Sequence, residues 1–391
     1  MKSILIFLFG ILSFGANTYL LAQKPIMGWS SWNHFRIDIN ENIIKAQADA
    51  MASNGMKEAG YQYINIDDGY FGGRDSKGNL LAHPQKFPLG MKSLATYIHS
   101  KGLKAGIYTD AGKNTCGSHW DKDPYGINVG LFGHEETDLE QLLINWDYDF
   151  IKVDWCGGKW LKLDKEQAYT NIGKLIKQTK ADVVYNICCW EFPGEWVCSV
   201  ADSWRISGDI TNRFSSILKI IDKNTVLKKY SSPGHVNDMD MLQVGRGMSY
   251  EEDKAHFSMW CMMNSPLLAG NDLRYISEET LNILNNTEII ALNQDRLGYQ
   301  ARKIKNNKGV DVWLKLLHTN NSGEIAVALL NRTNKRKSIQ FSLDELGLDA
   351  SRSYTMRDLW GKKNYPVSTK NDLEYKVHGH GIIVLKIIVK D

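Results

Sequence analysis

Apolar and polar positions are arranged in two different ways along this chain. From Pro25 to about residue 298, short apolar runs that end in polar residues are separated by segments with apolar residues at helical spacing. Such runs are typical of buried parallel strands, and the spacing in segments such as 40–55 and 167–179 predicts amphipathic helices. Eight strands are predicted, at 25–33, 61–69, 104–112, 149–158, 182–189, 203–210, 234–241 and 264–270. Their alternation with helices predicts an α/β fold, a (β/α)8 TIM barrel.

The pattern changes near residue 300. Short runs with alternating apolar residues follow at 309–315, 324–330, 338–342, 354–360, 375–377 and 381–387, and turn residues separate them. This pattern is typical of antiparallel strands packed as a sandwich. We therefore expect a catalytic-type barrel at 23–299 and a C-terminal antiparallel β-sandwich domain at 300–391.

The first 22 residues have the features of a secretory signal peptide. Lys2 precedes an apolar run at 4–12, and Ala22 stands at a suitable cleavage position. The apolar run is too short for a convincing membrane span, and the first cysteine is Cys116. We expect an exported protein, secreted or periplasmic, without a membrane anchor.

Charge and cysteine usage narrow the function further. The net charge is only +3 and no long Lys/Arg block occurs, which argues against nucleic acid as a partner. Six cysteines in an exported chain permit disulfides, and Cys116 and Cys156, which both follow predicted strands, are the expected pair. No cysteine or histidine spacing indicates a zinc site.

The chemistry is expected where the barrel strands end, because the active sites of such barrels lie at the C-terminal mouth. The residues there are acidic, aromatic and sparingly basic: Trp32, Asp67, Asp68, Tyr108, Asp110, Lys152, Asp154, Arg205, Asp209, Asp238 and Asp240. Glycoside hydrolysis needs one carboxylate at the anomeric carbon and one carboxylic acid at the leaving oxygen. Asp154 and Asp209 are the natural pair, since Lys152 and Arg205 give them different surroundings.

Several ordered motifs on successive strands resemble the α-galactosidase and α-N-acetylgalactosaminidase family, glycoside hydrolase family 27. The resemblance covers about Pro25 to Gly298, and the family's C-terminal β domain is implied after it. The motifs are Met27–Trp32, Ile66–Asp68, Gly106–Gly112, Lys152–Cys156, Trp204–Arg205 with Asp209–Ile210, Asn237–Met241, Asn271–Arg274 and Leu292–Asp295 with Leu297–Gly298.

The resemblance implies a role for each matching residue. Asp154 would be the nucleophile and Asp209 the general acid/base of a retaining double displacement on α-galactosides. A galactose-type saccharide would be bound by the other residues: Asp67 and Asp68 at the 4- and 6-hydroxyls, Lys152 at the 3- and 4-hydroxyls, Arg205 at the 2-position, Trp32 against the sugar, and Tyr108, Asp240 and Met241 along the pocket. A Cys116–Cys156 disulfide would border the pocket, and no metal or organic cofactor is implied.

Two positions depart from the family pattern. Gly69 stands where many relatives have a cysteine, which removes one disulfide. Cys189 stands where the family's galactosidases have a glutamate that binds the 2-hydroxyl, and a thiol is a weak substitute. Arg205 alone, Glu191 or Glu195 would then recognise the 2-position, or space would admit a larger group unless Phe192 refills it.

This second departure keeps other activities open. They are α-N-acetylgalactosaminidase, whose members use small residues at this position, and β-L-arabinopyranosidase on the same fold. A non-hydrolytic sugar-binding protein is the alternative of another class.

Some residues at or near the predicted strand ends have a structural role instead of a functional one. Asp110 and Asp238 are expected to cap turns, and Trp29, Trp155, Trp190 and Trp204 are expected to lie in the core.

Overall fold

A computed structural model describes residues 24–318, 324–349, 351–367 and 373–389, so the expected signal peptide at 1–22 lies outside the described residues. Eight parallel strands form one sheet in the order β10-β1-β2-β5-β6-β7-β8-β9. A parallel bridge between Leu242 and Ala269 joins the segment after β9 to β10, so the sheet curls back on itself. These strands are β1 (Met27–Ser30), β2 (Tyr63–Ile66), β5 (Lys104–Asp110), β6 (Phe150–Asp154), β7 (Val184–Ile187), β8 (Ser203–Arg205), β9 (Val236–Asp238) and β10 (Leu267–Ala269).

Helices pack around this sheet, and side-chain caps fix where several of them begin. Asn40, Asp164 and Ser249 each accept a hydrogen bond from a first-turn amide, and Ser249 forms a capping box with Glu252. The helices are α1 (Trp32–Phe35), α2 (Glu41–Ser53), α3 (Met56–Ala59), α4 (Gly90–Ser100), α5 (Cys116–Trp120), α6 (Glu135–Glu140), α7 (Cys156–Trp160), α8 (Lys165–Thr179), α9 (Phe214–Thr225), α10 (Tyr250–Met262), α11 (Glu278–Leu284) and α12 (Thr287–Asn293). Within the described ranges, none of them combines the length and the apolar character that a membrane span requires.

The C-terminal part is an antiparallel sandwich of two sheets. A six-stranded sheet has the order β11-β12-β13-β18-β15-β16, and β14 pairs with β17. These strands are β11 (Arg302–Asn307), β12 (Val310–Leu316), β13 (Ile325–Asn331), β14 (Lys337–Phe341), β15 (Tyr354–Asp358), β16 (Lys363–Val367), β17 (Leu373–Val377) and β18 (Ile382–Val389). The predicted fold class, a barrel followed by a β-sandwich, is confirmed.

Alternation along the sandwich strands explains how the two parts are joined. In β13, Ile325, Val327 and Leu329 face the core of the sandwich, whereas Ala326 and Ala328 pack into the large core that contains the barrel. Successive side chains of a strand point to opposite faces, so one sheet buries two apolar faces. The C-terminal sandwich is therefore packed directly on the barrel.

The structure also contains elements that the sequence pattern did not predict. The segment between the second and third predicted strands contains a hairpin of β3 (Phe71–Arg74) and β4 (Leu80–Ala82), and β11 and β16 are additional strands. β8 and β9 are only three residues long, shorter than predicted. As a result, Asp209 and Asp240 lie in loops beyond the strand ends rather than in the strands.

Candidate active site

The strand ends surround one cavity of about 900 Å3. Parallel pairing places Tyr108 beside Lys152 and Asp110 beside Asp154, because β5 and β6 run in the same direction. Nine of the predicted site residues line the cavity. In chain order they are Trp32, Asp67, Asp68, Lys152, Asp154, Arg205, Asp209, Asp240 and Met241.

Asp154 is buried at the floor of this cavity beside Lys152. The Lys152 Nζ atom lies 3.0 Å from Oδ2 of Asp67 and 3.9 Å from Oδ1 of Asp154. Burial raises the pKa of Asp154 to about 6, against the lowering effect of Lys152. Among the described residues, no nitrogen or oxygen donor makes a hydrogen bond to Oδ1 of Asp154, so this buried oxygen has no partner of its own.

Asp209 has the opposite environment, because 67% of its side chain is exposed. One guanidinium nitrogen of the buried Arg205 lies 3.0 Å from Oδ1 of Asp209 and 2.8 Å from Oδ2 of Asp240. The same Asp240 carboxylate accepts a hydrogen bond from the Ile210 amide at 2.8 Å. Asp240 and Arg205 therefore fix the loop that presents Asp209 to the cavity.

Asp68 is fully buried and is held by backbone amides. Its carboxylate accepts hydrogen bonds from the amides of Gly117 at 2.6 Å and Gly69 at 2.8 Å. Burial raises the pKa of Asp68 to about 7 in spite of these bonds. Gly69 has φ of +105°, and a Cβ atom there would lie 2.7 Å from the backbone of Ile37. A cysteine at position 69, as in many relatives, would therefore not fit this backbone without a shift.

Tyr108 lies beneath the cavity instead of lining it. It is buried next to a small void of about 30 Å3, and its hydroxyl accepts a hydrogen bond from the Cys116 amide at 3.2 Å. Trp32 does line the cavity, and the Arg36 guanidinium lies 4.5 Å from the centre of its ring. Tyr108 therefore supports the wall of the cavity, and Trp32 is available to a ligand.

The predicted Cys116–Cys156 disulfide is present and borders the cavity. The Cys116 sulfur lies 3.2 Å from Oδ2 of Asp154. Asp110 lies near both sulfurs, but its Oδ1 atom accepts hydrogen bonds from the amides of Gly112 and Gly157, and disulfide sulfurs do not act as thiolate ligands. Asp110 thus fixes a turn, and its burial raises its pKa to about 8.

The two adjacent cysteines after β7 face different surroundings. The sulfur of Cys188 accepts a hydrogen bond from Arg205 at 3.6 Å, and its thiol also lowers the pKa of the neighbouring Asp154. Cys189 is buried outside the cavity lining, and its sulfur lies 3.5 Å from the carbonyl of Glu191. Side chains alternate along a strand, and Asn186 already faces the barrel interior. That alternation predicts Cys188, not Cys189, as the thiol nearest the predicted 2-position.

The two glutamates that were expected to replace the missing glutamate form ion pairs with lysines and do not line the cavity. Glu191 pairs with Lys165, and Glu195 pairs with Lys229 at 3.0 Å. Phe192 stacks on Tyr230, with ring centres 4.5 Å apart, and does not line the cavity. Of the proposed recognition groups for the 2-position, Arg205 is the one that lines the cavity.

Tryptophans contribute more to the cavity than the sequence predicted. Trp190, expected in the core, is only partly buried and lines the cavity in a left-handed conformation with φ of 60°. Trp120 and Trp160 line it as well, and they are 74% and 72% exposed. Each lies four residues after a cysteine of the disulfide, a spacing that is visible in the sequence. By contrast, Trp29, Trp155 and Trp204 are buried as expected.

Comparisons with known proteins agree on one family. Residues 24–295 match the family described as alpha galactosidase A, and residues 307–387 match the alpha galactosidase C-terminal beta sandwich domain. The chain is 41% identical to alpha-galactosidase A of Cellvibrio japonicus, over 94% of this chain and 92% of that protein. It is also 41% identical to an alpha-galactosidase of Cyamopsis tetragonoloba, over 87% of this chain and 80% of that protein.

A solved structure supports the same assignment. Alpha-galactosidase I from Mortierella vinacea superposes with a TM-score of 0.86 at 33% identity, covering 95% of this chain and 98% of that one. The match spans the barrel and the sandwich together. The chain therefore belongs to glycoside hydrolase family 27, the α-galactosidase family, and is a glycoside hydrolase.

Proposed function

We propose that this protein is a retaining exo-α-galactosidase that removes terminal α-linked galactose by double displacement. The observation that carries the proposal is the contrast between two carboxylates on one cavity, the buried Asp154 beside Lys152 and the exposed Asp209 on Arg205. One carboxylate has an unpaired oxygen and a neighbouring cation, and the other is accessible for proton exchange. This pair of surroundings suits a nucleophile and a general acid.

In the first step, Oδ1 of Asp154 would attack the anomeric carbon while Asp209 protonates the departing glycosidic oxygen. Lys152 keeps Asp154 ionised near neutral pH, since its charge opposes the effect of burial and holds the raised pKa of Asp154 at about 6. The product is a galactosyl ester on Asp154 with inverted configuration at the anomeric carbon, and the aglycone leaves as an alcohol.

In the second step, Asp209 would take a proton from water, which attacks the anomeric carbon; the bond to Oδ1 of Asp154 breaks, Asp154 leaves as a carboxylate, and the original configuration is restored. The charges of Asp154 and Asp209 repel each other in the free enzyme, and esterification of Asp154 removes this repulsion. Asp209, which has given its proton to the leaving group, then acts as the base. The galactose hydroxyls would meet Asp67, Asp68 and Lys152 on one side and Arg205 on the other.

Three p-nitrophenyl glycosides test the activity: the α-galactoside, the α-N-acetylgalactosaminide and the β-L-arabinopyranoside. We expect the α-galactoside to have the highest kcat/KM, because the cavity is lined by Arg205, assigned by resemblance to the 2-position, and by Asp67 and Asp68, assigned to the 4- and 6-hydroxyls. A preference for either of the other two would replace the proposed substrate. Binding of galactose without release of nitrophenol from any of them would favour a non-hydrolytic sugar-binding protein.

The role of Asp154 has its own test. The Asp154→Ala variant should lose essentially all turnover, and azide should restore part of it by attacking from the emptied side to give a galactosyl azide. Asp209→Ala should instead lose activity most on substrates with poor leaving groups. Normal hydrolysis by Asp154→Ala would remove it as the nucleophile.

We also propose that the protein is exported. The disulfide at Cys116–Cys156 is the kind of bond that persists in oxidising compartments, and the sequence pattern at 1–22 is that of a secretory signal peptide. Fractionation of expressing cells, with N-terminal sequencing of the protein, tests this. An intracellular protein that retains residues 1–22 would contradict it.

A further inference from the structure

Two exposed tryptophans stand at the cavity mouth without a structural reason for their exposure. Of the twelve tryptophans in the chain, all of which the structure describes, only Trp120 and Trp160 are exposed, and both line the cavity. A large aromatic side chain in water gains nothing from packing, so exposed aromatic pairs at one site are typical of ligand surfaces. The proposed galactose contacts do not use them.

The local structure holds these two side chains in related positions. Helix α5 begins at Cys116 and ends at Trp120, and helix α7 begins at Cys156 and ends at Trp160. The disulfide brings the first residues of the two helices to a Cα–Cα distance of 5.2 Å. Each tryptophan is therefore about one helical turn from a shared covalent anchor, which restricts how far the two can move apart.

The ring of Trp160 is also oriented by a neighbour. His119 stacks against it with ring centres 5.3 Å apart and an interplanar angle of 20°. Because one ring face rests on His119 while the residue is 72% exposed, the other face is open to solvent. A side chain ordered in this way costs less entropy to bind a flat ligand.

Polar donors accompany the two rings. Lys159 and Lys162 line the same cavity and are exposed, and within the described part of the chain neither forms an ion pair with a carboxylate. Sugar rings present apolar C–H faces and hydroxyl edges, so they suit aromatic faces flanked by donors. The leaving group of a bound galactoside would depart from the face opposite Asp154, on the side of Asp209, and Asp209 and both tryptophans line the same cavity.

We propose that Trp120 and Trp160 form a platform, here called the tryptophan platform, that binds sugar rings of the leaving group. This inference rests on the proposed function and deepens it: the preferred substrates would be α-galactosides of oligosaccharides or polysaccharides. Simple galactosides with small leaving groups would be cleaved without this contribution.

The test compares two substrates that share the galactosyl group. In α-galactosyl fluoride the leaving group is one atom, and in the tetrasaccharide stachyose it has three sugar rings. Trp160→Ala and Trp120→Ala should each lower kcat/KM for stachyose about five- to tenfold, mainly through KM, since one aromatic contact contributes about a factor of this size. Activity on α-galactosyl fluoride should change less than twofold.

Matched variants separate binding from folding. Trp160→Phe keeps an aromatic face and should recover most of the stachyose activity. Tyr275→Ala removes another exposed aromatic side chain that does not line the cavity, and it should affect neither substrate. Unchanged stachyose kinetics in Trp160→Ala, or an equal loss on both substrates, would overturn the tryptophan platform.

A binding measurement keeps the platform testable apart from turnover. In the Asp154→Ala background, stachyose should quench tryptophan fluorescence more strongly than free galactose, and the additional quench should disappear with Trp160→Ala. No difference between stachyose and galactose would refute the platform. If the wild-type protein does not cleave α-galactosyl fluoride, the proposed function fails while the quenching result still decides on the platform.

Discussion

The charge of Lys152 should set the acid limb of the pH–activity profile. Its ammonium lies 3.9 Å from Asp154 and 3.0 Å from Asp67. At an effective dielectric constant of about 20, a charge pair at this separation interacts by about 4 kcal/mol, equivalent to roughly three pKa units. Surrounding groups relax in the variant, so Lys152→Met should raise the pKa of Asp154 by roughly one to three.

The assay is the pH dependence of kcat/KM, which reports groups of the free enzyme. With a pKa of about 6 for Asp154, the wild-type rate should fall as pH drops through about 6. In Lys152→Met the same fall should begin between about pH 7 and 9, in addition to a higher KM. At pH 6 most of the variant would carry a protonated Asp154 and be inactive.

Lys180 offers a matched control, because it contacts the chain at the end of β6 that lies opposite Asp154. Its ammonium contacts Asp147 at 3.2 Å and Asp149 at 3.4 Å, just before β6 begins. Lys180→Met also removes a lysine with two acidic partners, but far from the cavity, so the pH profile should stay in place. An acid limb that does not move in Lys152→Met would refute the assignment of this limb to Asp154.

Three further predictions concern stability. Burial raises the pKa of Asp110 from 3.8 to about 8, so between these pH values the folded protein binds a proton that the unfolded chain releases. The free energy of unfolding should therefore fall as pH rises from about 4 to about 8, by up to about 1.4 kcal/mol per pH unit. Urea unfolding of Asp110→Asn should show a shallower fall over the same pH range. Reducing Cys116–Cys156, which are 40 residues apart, should lower the free energy of unfolding by about 4 kcal/mol, measured with and without reductant. Gly69→Cys should destabilise the fold by about 1–3 kcal/mol in the same urea assay because of its positive φ and the Ile37 backbone, and unchanged stability would contradict this reasoning.

Some elements were predictable because their burial leaves a strong pattern. The strands β5 and β6 are apolar runs that end in carboxylates, and their order already indicated which residues meet at the mouth. Other strands leave no such pattern. β11 and β16 carry mostly exposed polar residues at the edges of a sheet, and β3 contains two glycines, which have low strand propensity.

The candidate site shows the same division at the level of single residues. The alternation from Asn186 indicates Cys188 as the inward thiol, so the sequence contains its position, whereas the resemblance to the family points to Cys189. The exposure of Trp120 and Trp160 was not readable. A tryptophan is buried in most positions, and only the packing of neighbouring elements decides otherwise.

By itself, the sequence determined the order of strands and helices, the family, and the set of polar residues at the barrel mouth. It did so because burial imposes a periodicity on the chain, and because parallel strands end at a common edge. The tertiary structure decided which of those residues share contacts, such as Lys152 with Asp67 and Arg205 with Asp240, and which aromatic rings face solvent. Such contacts join residues far apart in the chain, so they depend on packing distances that no local pattern encodes.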